Sequence, residues 1–159
     1  MTVNLITLGK LKEDYLRKAC AEYEKRLSAF VKISIIELEP VKLPDDPNQA
    51  QIDAALETES ARIFARIPQG SFTAAMCIEG GQMTSERLAE KLSAVSVSGK
   101  STVNFVIGSS YGLSDRVKKA ADLRLSMSEM TFPHQLARVM LLEQIYRAYT
   151  IINNRKYHK

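Results

Sequence analysis

The sequence predicts an α/β fold, a mainly parallel sheet flanked by helices. Short β-rich runs alternate with longer segments of helical periodicity, and Gly or Pro punctuates the joins. No compositional break or repeat divides the 159 residues, so 1–159 reads as one domain.

Val3-Asn4-Leu5-Ile6-Thr7-Leu8 is the first strand, stopped by Gly9. Leu16, Cys20, Leu27 and Phe30, with Tyr23 between, recur at helical spacing over about residues 12–29. Ile33 to Leu38 is the second strand, ended by Pro40, and Pro44 to Pro47 form a loop. A polar helix over 49–66 carries Ile52, Leu56, Ile63 and Phe64. The strand Thr73 to Ile78 runs into Glu79-Gly80-Gly81, read as a loop. Thr84 or Ser85 then caps a helix bearing Leu88, Leu92 and Val95. Val103 to Ile107 is the most strand-like run, followed by Gly108-Ser109-Ser110-Tyr111-Gly112. Ser114 with Asp115 starts a short helix. Leu123, Leu125 and Met127 alternate with polar residues as a one-sided strand. Pro133 opens a final helix that reaches about Ile151.

Composition excludes several classes. Hydrophobic residues at 45% and charged residues at 25% suit a soluble folded chain rather than a disordered one. No apolar run is long enough for a membrane span, and residues 1–20 lack a signal-peptide pattern, so a cytoplasmic location without membrane association is expected. Cys20 and Cys77 lack paired spacing and read as core or boundary residues. Only His134 and His158 could join them, so no metal site is expected. The net charge of +4 resides entirely in residues 133–159, which hold Arg138, Arg147, Arg155, Lys156 and Lys159 against Glu143. Such an end suits a polyanion, or is a solvated basic tail.

In parallel sheets ligands bind beyond the carboxyl ends of the strands. Glu79 to Gly81, Gly108 to Gly112 and Met127 to Pro133 occupy such positions. Gly108 to Gly112 also matches G-x-S-x-G, and Asp115 or Asp122 with His134 supplies a serine-hydrolase order around Ser110. The same loop reads equally as a glycine hinge permitting close backbone approach, or as a plain tight turn. Phe132 either covers a flat ligand or staples the following helix. His134 is a base or a solvated surface residue. The last helix is apolar on more than one stripe, which suits either a central core helix or a dimer interface.

Several blocks now combine: Leu5 to Gly9, Ile107-Gly108 with Gly112-Leu113-Ser114, Leu125-Ser126, and Thr131-Phe132-Pro133-His134 with Arg138. Glu143-Gln144-Ile145-Tyr146-Arg147-Ala148 and Asn153-Asn154 to Tyr157-His158 complete the set. Across nearly the whole chain these blocks resemble the RlmH family of SPOUT-class methyltransferases. That resemblance implies methyl transfer from S-adenosyl-L-methionine to N3 of a pseudouridine in a 23S ribosomal RNA hairpin. It also implies a homodimer acting on the assembled 70S ribosome, and a C-terminal trefoil knot. Carried over, the cofactor positions fall at Met76, Gly108, Met127, Ser128, Glu129, Met130, Thr131 and Phe132.

The family often has Gly-Gly or a Pro after the strand where this chain has Gly108-Ser109-Ser110-Tyr111, and Glu79-Gly80 replaces a Pro-Gly or similar pair. Contact through the backbone is therefore expected in the cofactor loops. The proton acceptor is His134, His158 or water. Arg138, Tyr146, Arg147, Arg155, Lys156, Tyr157 and His158 form the RNA-facing set, cations for phosphates and aromatics for an exposed base. Two other classes stay open: a non-catalytic ribosome-binding module and a serine hydrolase using Ser110.

Overall fold

The computed structural model describes residues 1–157. Along the chain run β1 (Thr2–Leu8), α1 (Asp14–Leu27), β2 (Lys32–Leu38), α2 (Gln49–Phe64) and β3 (Phe72–Gly81). Then come α3 (Ser85–Val97), β4 (Thr102–Ile107), α4 (Asp115–Ala120), β5 (Leu123–Leu125) and α5 (His134–Ile152). The strands form one five-stranded sheet in the order β2-β1-β4-β3-β5, parallel at every pairing.

A parallel sheet needs helical crossovers and is buried on both faces. Alternation within β1 shows how the sequence meets that demand. Val3 and Leu5 pack with side chains of α1, α3 and α5, whereas Ile6 and Leu8 pack with α2 and α4. α5 lies against both α1 and α3. The buried asparagines are paired: Asn4 Nδ2 donates to Asn104 Oδ1 across β1 and β4 at 2.9 Å, and Asn104 Nδ2 donates to Ser71 Oγ at 2.7 Å.

Local chemistry sets the helix starts. Asn48 and Gln51 form a reciprocal capping box, each side chain accepting from the other's backbone N–H at 2.9 Å. Thr84 and Ser114 cap α3 and α4 through their hydroxyls.

Two expectations need correction. Glu79-Gly80-Gly81 is not a loop but the end of β3, with a register shift between Met76 and Gly81. A Cβ on Gly80 would lie 2.7 Å from the Leu125 carbonyl carbon, so glycine here permits backbone contact with β5 rather than a turn. β5 ends at Leu125, before Met127. There Ser126 N donates to Gly81 O, and its hydroxyl donates to Ser128 O at 2.9 Å, turning the chain away from the sheet.

Candidate active site

β4 and β5 flank β3 in the sheet, so the segments following β4 and β5 close over the β3 end between them. A cavity of about 740 Å³ opens there, within the range of ligand sites. Met76, Ile107, Leu113, Leu125, Met127, Phe132 and Leu141 supply most of its apolar lining. Gly108 to Gly112 form one wall, and Met127, Ser128 and Met130 to His134 form the facing one.

The 108–112 turn depends on glycine. Gly112 has φ +78 and donates its amide to Ser109 O at 2.9 Å. A Cβ on Gly108 would sit 2.3 Å from Gly112 O, so another residue here must push the turn open. In the facing wall, Met130 N donates to Ser128 Oγ at 3.0 Å. The amides of Met127, Thr131 and Phe132 donate to no group among the described residues. Residues whose main-chain donors have no acceptor among the described residues thus line a mostly apolar cavity.

Charge at the cavity is balanced. Lys118 pairs with Glu79, and this contact, with the neighbouring Arg124, holds the carboxyl below its usual range. His134 is half-buried at the start of α5. Burial, then the nearby Arg138 and Lys12 charges, push its imidazole below 6.5. Among the described residues no group of three or more His, Cys, Asp or Glu could hold a metal ion.

Met76, Gly108, Met127, Ser128, Met130, Thr131, Phe132 and His134 all line this one cavity, while Glu129 is exposed and outside the lining. Ala137, Leu141, Lys118 and Cys77 were missed. Ala137 and Leu141 follow His134 by three and seven residues on one helix face, so helical periodicity carried their signal. Asp122 does not join Ser110 and His134 in a triad. Asp122 sits before β5, where it accepts from Thr73 N at 2.8 Å and from Lys100, at the opposite end of the sheet.

Residues 1–158 match the family described as "Predicted SPOUT methyltransferase". Ribosomal RNA large subunit methyltransferase H from Exiguobacterium sp. is 48% identical over 159 residues, covering 100% of both chains. The enzyme of that name from Ruminiclostridium cellulolyticum is 46% identical with the same coverage. The chain belongs to the SPOUT methyltransferase family. A solved structure described as "a probable methylase family protein from Haemophilus influenzae Rd KW20" shares the fold, with TM-score 0.53 and 13% identity over 99% of this chain and 70% of that one.

In this SPOUT chain the C-terminal set divides. Arg138 is 3% exposed and donates to Glu37 and to Gly9 O, so it is a structural cation rather than part of an RNA-facing surface. Tyr146 is half-buried among Tyr23, Phe30 and Tyr157, with its ring centre 4.7 Å from that of Tyr157. Arg147 pairs with Glu143 at 2.6 Å and lies over the Tyr157 ring. Arg155 and Lys156 are exposed, and His158 lies outside the described residues. The exposed pair follows the far end of α5, whose 19 residues span about 27 Å from His134. No helix among the described residues is long and apolar enough to cross a membrane.

Proposed function

We propose that this chain transfers a methyl group from S-adenosyl-L-methionine to N3 of a pseudouridine in a 23S ribosomal RNA hairpin on the assembled 70S ribosome. It does so as a cytoplasmic homodimer of single-domain subunits, with the segment from Gly108 through α5 forming the family's knot. The observation that carries the reading is that Met127, Thr131 and Phe132, whose amides have no acceptor among the described residues, line an apolar cavity beside Gly108. Relatives named as ribosomal RNA methyltransferases at 46–48% identity over the full length support the RNA substrate.

The cavity suits that donor. Apolar side chains offer faces for a flat purine, and main-chain groups offer its edge hydrogen bonds. Lys118 is compensated by Glu79, and His134 is held toward its neutral form, so the lining carries little uncompensated positive charge against a sulfonium. When bound, the donor supplies an electrophilic methyl group, so no protein nucleophile or metal is required.

The chain's residues do the rest. Main-chain groups of Met127 to Phe132 hold the adenine, Gly108 admits the ligand close to the backbone, and Met76 packs against it. Holding donor and imide nitrogen in near-attack geometry removes several kcal/mol of barrier. His134 accepts the N3 proton, directly or through one water. Arg155 and Lys156 neutralise RNA phosphates.

The distance along α5 separates a subunit's basic end from its own cavity. A partner packed on the half-buried Val139 and Met140 face would bring its tail to this cavity instead. The test mixes two impaired proteins, Gly108→Ala and Arg155→Ala/Lys156→Ala, at donor and ribosome concentrations where each alone is nearly silent, under conditions of shown subunit exchange. Methyl transfer to 70S ribosomes should return in the mixture. Absence of rescue contradicts shared sites, and absence of transfer by the wild-type protein contradicts the activity.

A further inference from the structure

Behind the 108–112 turn, away from the cavity, stands a buried acid with no cation against it. Glu59 of α2 is 4% exposed, and no basic side chain pairs with it among the described residues. A buried carboxylate is costly unless hydrogen bonds hold it. Two do: Ser109 Oγ donates to Oε2 at 2.9 Å, and Val41 N donates to Oε1 at 3.1 Å. The next residue of α2 acts on the other end of the same turn. Ser60 Oγ donates to Leu56 O at 2.6 Å and lies 2.5 Å from Ser114 Oγ, leaving Ser114 as the donor of that contact. Consecutive residues of one helix thus hold both ends of the segment 109–114, across which Gly112 folds back onto Gly108.

We propose that Glu59 is a positioning residue for the methyl donor: its carboxylate, through Ser109, fixes the 108–112 wall in its ligand-accepting shape. α2 itself contributes nothing to the cavity lining, so the effect reaches the ligand only through the turn. The proposal rests on the reading of the cavity as the S-adenosylmethionine site. The carboxylate accepts one hydrogen bond from the turn's side chain and one from the main chain at Val41, which suits a wall built of glycine and serine.

The test uses the full-length protein with Ser109→Ala, Glu59→Ala, Glu59→Gln and the Ser109→Ala/Glu59→Ala double variant. Ser109→Ala and Glu59→Ala should each raise the KM for S-adenosylmethionine about tenfold, the scale of one lost hydrogen bond. At saturating donor kcat should stay within about twofold, as expected when uniform binding is removed. The double variant should match Glu59→Ala, because the two residues act through one contact. Glu59→Gln should recover most of the loss, since an amide can still bond both partners. An unchanged KM in Ser109→Ala, strictly multiplicative losses in the double variant, or equal damage from Gln and Ala overturns the proposal.

Hydrogen exchange at the Gly112 amide supplies a readout that needs no donor. Exchange should quicken in both alanine variants while amides of β1 keep their rates. Unchanged Gly112 exchange overturns the clamp even where the wild-type protein binds no S-adenosylmethionine, a result that by itself would refute only the cavity reading.

Discussion

Arg138 donates to the Glu37 carboxylate at 2.8 Å and to the Gly9 carbonyl at 2.9 Å. One buried guanidinium thereby ties the first turns of α5, beside the cavity, to the ends of β1 and β2. Arg138→Ala leaves that carbonyl and a part-exposed carboxylate without their donor. The expected cost is about 2–3 kcal/mol of unfolding free energy, read from denaturant midpoints. Lysine should recover little, because an ammonium lacks the planar fork that reaches both acceptors.

The exposed cations predict a different signature. Arg155→Ala/Lys156→Ala should leave stability nearly unchanged. It should weaken ribosomal RNA binding and reduce the slope of log affinity against log salt by about two. Binding measured across a salt series checks this, and an unchanged slope would remove these residues from the phosphate contacts.

His134 gives a pH dependence whose sign follows from its environment. The folded protein holds the imidazole below 6.5, so the unfolded chain binds the proton first as pH falls. The stability that His134 contributes is therefore present above 6.5 and declines as pH falls through the folded value. His134→Gln should flatten that part of the melting-temperature profile against pH. As proton acceptor, His134 also predicts an acidic limb in the methyl-transfer rate with its midpoint below 6.5, absent from the glutamine variant.

Tyr149 is buried, its hydroxyl has no hydrogen-bond partner among the described residues, and burial pushes its phenol up to about 12. Removing an unsatisfied polar group is favourable where the apolar shape is kept. Tyr149→Phe should raise stability by about 1 kcal/mol, or roughly 2–4 °C in Tm. A lower Tm would mean that the hydroxyl has a partner in solution.

Much of this architecture was legible because apolar period is a local signal. The β-rich run Val3 to Leu8, buried throughout, and the spacing of Leu16, Cys20 and Leu27 report burial directly. The loops after β4 and β5 were legible too, since Gly108 and Pro133 punctuate them. Gly80 misled because a glycine pair resembles a turn, whereas its role is close contact with Leu125, a tertiary fact. Arg138 misled for the same reason. Its partners Glu37 and Gly9 lie 101 and 129 positions away, and nothing beside it in sequence marks it as buried. Glu59 was invisible, one acid on a polar helix, until α2 was seen to pass behind the Ser109 turn.

Calorimetric titration of S-adenosyl-L-methionine into the wild-type protein and Gly108→Ala tests the central claim most directly. Saturable binding by the wild type, with loss of at least about tenfold in affinity when a Cβ is driven against Gly112, is the predicted result. No binding heat across temperatures in the wild type, or equal affinity in the two proteins, would contradict it.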